Sequence, residues 1–261
     1  SLALFRSHTF AGANLFTFLL YGGLGGALYF LPFTLQQVQG YSPVQAGASF
    51  LPFTLIIFGL SRWAGGLVPR FGAKLPLVIG PIIAALGFAL FAVPGIGGSY
   101  WTTYFPAIVA LSLGMVLVIA PLTTAVMGAV PADRVGVASG VNNAVSRTAG
   151  LLAIAVFNVV VVVVFANALQ AQLAPLHLPA AAQQALQAQH TRLLATHIPS
   201  SFGSALTAEV QRALSDAFLN GFRGVMLISA ALALVASGVA ALLIEGKLVP
   251  KPAAQPRAGP K

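Results

Sequence analysis

Between Arg6 and Arg62, and again between Lys74 and Asp133, the sequence contains no Asp, Glu, Lys or Arg. Both gaps are far too long for a water-facing surface. A charged side chain at the centre of a bilayer costs about 2.5–3.5 kcal/mol on insertion scales, so long uncharged apolar runs mark helices that cross lipid. The chain is 58% hydrophobic and 7% charged, against roughly 25% charged in ordinary soluble domains. A membrane protein is the class that fits.

Spanning a hydrocarbon core of about 30 Å takes roughly 20 apolar helical residues, and six segments qualify, near 12–36, 44–64, 75–94, 102–127, 137–166 and 222–244. Gly, Pro and polar residues punctuate the joins around 36–43, 68–74, 94–99 and 130–134. The expected organisation is five transmembrane helices in 1–166, an extracytoplasmic connection over 167–221, a last transmembrane helix over 222–246, and a disordered basic tail at 247–261. The long connection is rich in Gln and Ala and contains amphipathic stretches near 180–197 and 205–219. They fit a helical cap on the membrane surface or a loop.

Orientation follows from Lys and Arg. Alternating six spans places Arg6, Arg62, Arg70, Lys74, Arg134, Lys247, Lys251, Arg257 and Lys261 on one side and Arg192, Arg212 and Arg223 on the other. The basic side is expected to be cytoplasmic, with both termini there. The net charge of +9 thus serves topology, and no basic stripe interleaved with aromatics points to nucleic acid. The absence of cysteine excludes thiolate catalysis and Cys-ligated metals. His8, His177, His190 and His197 lack the spacing of a helical ligand pair, so no metal is expected. No nucleophile and base pair or phosphate loop accompanies the spans, which argues against an enzyme. The start at Ser1, almost directly on a span, suggests a larger parent.

The fifth span is the most polar. Helical spacing puts Ser139, Asn143, Arg147 and Asn158 on one stripe, with Asn142 and Ser146 close by and Gly136, Gly140 and Ala144 on an adjacent small-residue edge. Arg147 either snorkels to the cytoplasmic interface or faces a watery cavity. A second cluster, Gly65-Gly66-Leu67-Val68-Pro69-Arg70-Phe71-Gly72-Ala73-Lys74, joins the second and third spans. There Arg70 and Lys74 can hold phosphates or a helix C-terminus, or simply anchor the turn. Asp133 and Arg134 occupy the next turn on that side. Tyr21, Tyr29, Phe30, Phe50 and Phe53 are candidates for an apolar cavity that tolerates cations, with ordinary packing as the alternative.

These stretches resemble a known family. Gly65, Leu67, Arg70, Gly72 and Lys74 match motif A of the major facilitator superfamily, G-x-L-x-D-R-x-G-x-[RK], with Pro69 in place of the acid. SGVNNAVSRTAG at 139–150 is similar to the penultimate helix of the fourteen-spanner drug/proton antiporters, and LYFLPFTLQQVQGYSPVQAG (28–47) and APLTTAVMGAVPADR (120–134) add to the likeness. The resemblance implies an all-α membrane protein, a six-transmembrane-helix bundle forming the C-terminal half of a major facilitator fold with two inverted three-helix repeats. It implies alternating access, with Arg70 and Lys74 at a cytoplasmic gate, Asn142, Asn143 and Arg147 in the wall or gate of the carboxyl-terminal bundle, and Gly65, Gly72, Asp133, Arg134 and Ser139 as further transport or gating residues.

Proton coupling needs an intramembrane group that titrates. The four acids, Asp133, Glu209, Asp216 and Glu245, all fall outside the spans, so the proton carriers are expected in a missing N-terminal half. The expectation is the C-terminal half of a proton-coupled multidrug efflux transporter in the cell inner membrane, unable to transport alone. It needs no cofactor beyond the proton gradient, and its partners are membrane lipid, amphipathic or cationic drugs and the missing half. An autonomous homodimeric carrier or channel, or a scaffolding fragment without transport, are the alternatives.

Overall fold

The computed structural model describes residues 2–174 and 204–246. A short 3-10 turn, Leu2–Arg6, leads into α1, His8–Gln37, whose first turn is capped by Ser7 accepting from the Phe10 amide at 3.3 Å. The second span is divided: α2 is Pro43–Ala48 and α3 is Leu51–Gly65. Ser42 and Gln45 form a reciprocal capping box at the start of α2, and Pro52 opens α3 where a missing N–H costs nothing. The short α4, Leu67–Phe71, precedes α5, Lys74–Phe91; α6, Tyr100–Thr103, precedes α7, Phe105–Gly128. A 3-10 turn at Ala132–Arg134 leads into α8, Val135–Leu173, and the chain ends on α9, Ser204–Leu243. Helices α1, α5 and α7 continue through Pro32, Pro81 and Pro121.

Six helical stretches are long and apolar enough to cross a membrane. The packing repeats itself: α1 lies against α8 and α9, and α7 lies against α3 and α5 in the same way, with α5 meeting α9 between the halves. This is the pattern of two inverted three-helix units. The second and fifth spans bury 11% and 28% of their most apolar windows, against 44–56% for the other four. They therefore sit at the periphery with one side uncovered.

Small residues bring the backbones together. A Cβ on Gly114 of α7 would lie 2.5 Å from the Ala84 nitrogen of α5, and one on Gly25 of α1 would lie 2.8 Å from the Gly150 Cα of α8. The glycines of α1 serve two neighbours: Gly25 and Gly26 face Gly150 and Phe157 of α8, while Gly23 faces Ser229 of α9, whose hydroxyl donates to the Gly23 carbonyl at 3.1 Å. Dispersion and interhelical hydrogen bonds of this kind hold helices together where lipid removes any hydrophobic preference for association.

At about 1.5 Å per residue, α8 and α9 run some 58–60 Å, nearly twice the hydrocarbon thickness. Leu243 lies beside Gly12 at the start of α1 and Gly221 lies against Val161, so the surplus projects from the end opposite the Arg70 turn. Glu209, Arg212 and Asp216 are exposed on that projection. The stretch near 205–219 is thus continuous with the last spanning helix, which begins earlier than the sequence boundary at 222. The stretch near 180–197 and the tail from 247 lie outside the described residues.

Candidate functional site

The polar residues of α8 divide between two faces. Asn142 turns inward, and its amide donates to the Thr17 hydroxyl at 2.7 Å and to the Asn14 side-chain oxygen at 3.3 Å, both on α1. Asn14 and Thr17 are buried and each donates back to the α1 backbone, to the carbonyls of Phe10 and Ala13. Asn142 therefore clamps α8 to α1. Asn14 and Thr17 were not singled out from sequence; a polar pair at i, i+3 inside an uncharged span was the available signal.

Asn143, Arg147 and Asn158 point the other way and are exposed, and Ser139 is half-buried beside them. The Ser146 hydroxyl donates to the Asn143 carbonyl at 2.9 Å. Among the described residues, Arg147 has no hydrogen bond or ion pair. Nothing lies within 4 Å of a Cβ built on Gly136 or Gly140. The small-residue edge expected to receive a neighbouring helix is left open by this chain. Arg147 borders a groove of about 500 Å³ between α1 and α8, lined also by Tyr21, Leu24, Leu28, Ser146 and Ile154.

The five candidate aromatics do not share one environment. Tyr21 lines this groove, half-buried, whereas Phe30 is 3% exposed within the core. Tyr29 is exposed and packs its ring edge-on against Phe30 at 5.1 Å and beside Phe33 at 5.3 Å. Phe50 and Phe53 pack against the core at the α2–α3 junction.

At the basic end, Arg70 is exposed on α4 and lines a second cavity of about 500 Å³ with Pro69, Gly72, Thr124 and Gly246. Gly72 has φ 73°, and the Gly246 carbonyl lies directly against it, so both conformation and space demand glycine. Gly65 faces open space. Lys74 is half-buried at the first position of α5. Asp133 and Arg134 form an exposed ion pair at 3.9 Å, of a kind worth little.

A polar clamp closes the opposite end. Gln39 donates to the Gly95 carbonyl at 2.7 Å and to the Tyr104 phenol at 2.9 Å, and accepts from the Gly97 amide at 2.8 Å. Arg223 of α9 donates to the Pro94 carbonyl at 3.1 Å. Burial pushes the Tyr104 phenol up, opposed by the hydrogen bond from Gln39, so Tyr104 stays neutral in physiological media.

A bundle of this topology with a glycine-bound basic turn invites comparison with transporters. A sequence model of the Major Facilitator Superfamily matches residues 2–154. The chain belongs to the major facilitator superfamily. Its superfamily relatives include the tetracenomycin C resistance and export protein of Streptomyces glaucescens, 32% identical over 60% of this chain and 29% of that protein. The multidrug resistance protein Stp of Mycobacterium tuberculosis is 34% identical over 55% of this chain and 26% of its own length. The lincomycin resistance protein of Streptomyces lincolnensis is 34% identical over 56% and 30%. The chain thus matches less than a third of the length of these relatives. It is a multi-pass member of the superfamily, and these relatives are named for drug resistance or export.

Proposed function

We propose that the chain is the C-terminal half of a proton-driven multidrug efflux transporter that works by alternating access. Export and resistance in the names of its relatives support efflux. The observation that carries the half-transporter reading is the uncovered polar stripe of α8: Asn143, Arg147 and Asn158 are exposed, and amides and a guanidinium facing hydrocarbon would go unsatisfied. A companion bundle covering α3 and α8 removes that cost. The proton gradient supplies the energy with no organic cofactor, and the titrating carboxylates belong to the companion. The basic end faces the cytoplasm of the inner membrane, both termini lie there, and Arg70 and Lys74 form part of the gate on that side. The substrates are amphipathic drugs, cationic ones among them.

Because the chain lacks cysteine, Asn143→Cys creates a unique thiol. In membranes containing the chain alone, a nitroxide attached to that thiol should be relaxed by oxygen dissolved in the lipid; co-expression with the helices that precede the chain in the parent should shield it, and a nitroxide at Val44→Cys on the exposed start of α2 should stay accessible throughout. Oxygen access at position 143 that the companion leaves unchanged would overturn the reading, and shielding arising with the chain alone would favour the homodimer.

A further inference from the structure

Arg147 stands twelve residues into α8, about 18 Å along the helix, and Tyr21 stands thirteen into α1, about 20 Å. Both are near mid-depth in a core of about 30 Å. The nearest acid in sequence, Asp133, is roughly 20 Å away along the helix axis and already paired with Arg134; Glu209, Asp216 and Glu245 lie on the projecting end of α9 or beyond its last turn. Tyr21, Ser146 and Arg147 are the polar side chains of the groove, whose remaining wall is Leu24, Gly25, Leu28, Gly150, Leu151 and Ile154. A guanidinium with no counter-charge at that depth is costly, and an oxyanion seated beside it offsets the cost through short charge-assisted hydrogen bonds.

We propose that this groove is a substrate subsite selecting the anionic oxygen, carboxylate or phenolate, of an amphipathic small molecule whose apolar body lies along Leu24, Leu28 and Ile154. The inference rests on the efflux reading and names the charge preference that this half contributes. The Arg147 fork holds the oxyanion, the Tyr21 hydroxyl shares the groove as a second donor, the Ser146 hydroxyl is already donated to the Asn143 carbonyl, and the aliphatic wall accepts the rest. A cationic group on the same molecule must be met elsewhere, since the groove's one charged side chain is the Arg147 guanidinium.

The test compares the parent transporter and its Arg147→Gln and Arg147→Lys variants in cells loaded with an anionic dye, carboxyfluorescein, or a cationic one, ethidium. Arg147→Gln should slow carboxyfluorescein efflux by about tenfold or more, the loss of one charged hydrogen-bonding partner, while ethidium efflux changes by less than about twofold on the same scale. Arg147→Lys should recover part of the anion efflux. Equal loss of both dyes would overturn the subsite and make Arg147 a partner of a protein carboxylate in the companion bundle. Export of ethidium with no carboxyfluorescein export by the unmodified transporter would overturn it as well. Failure to export either dye would instead count against the efflux reading itself.

Discussion

At the residue scale, two side chains five positions apart on the same helix do different work. Asn142 faces α1 and bonds to Thr17 and Asn14; Arg147 is exposed at the rim of the groove between α1 and α8. Asn142→Leu should lower the stability of the bundle in detergent by about 1 kcal/mol, since interhelical hydrogen bonds in membranes are worth roughly 0.6–2 kcal/mol, and thermal unfolding of the purified chain checks this. Arg147→Ala should leave thermal stability and expression in place while sharply reducing export of anionic substrates by the parent, read as resistance of the host to an anionic drug. Unchanged resistance would reduce Arg147 to a snorkelling residue. The sequence pattern showed that a polar cluster sits on the inner half of the fifth span. It did not show which amide turns inward, because vicinal asparagines differ by about 100° in azimuth and only the position of α1 decides between them.

At the element scale, α1 is fixed between α8 and α9 by glycines. Gly25→Ala would put a methyl 2.8 Å from the Gly150 Cα, where backbone rather than a movable side chain must give. A loss of about 1–3 kcal/mol is expected, typical of overpacking, whereas Gly65→Ala, which faces open space, should be near neutral or stabilising by the same measurement. Equal effects would show that α1 and α8 do not approach this closely. The spans themselves were legible from sequence because charges are absent where lipid is present, and the six intervals found agree with six expected. The outer ends of α8 and α9 were less legible: past the bilayer, polar residues such as Glu209 and Arg212 remain helical because the paired helices bury Phe165, Leu169, Val210 and Leu214. The proposed cavity of five aromatics also dispersed, because Phe30 faces the core while its neighbour Tyr29 faces out, a distinction that composition does not encode.

At the scale of the whole molecule, the bundle encloses α1, α5, α7 and α9 and leaves one side of α3 and α8 uncovered. Four well-buried helices close the core, and two expose most of their length. Asp133 stands at the start of the fifth spanning stretch, Glu209 and Asp216 lie exposed on the projecting end of the last, and Glu245 follows its final turn, so the acids cluster toward the helix ends rather than at mid-bilayer. The direct test is substrate accumulation in proteoliposomes under an imposed proton gradient, measured for the purified chain alone and for the chain joined to its companion helices. The joined protein should accumulate substrate in proportion to the gradient, and the chain alone should accumulate none. Gradient-driven accumulation by the chain alone would contradict the half-transporter reading.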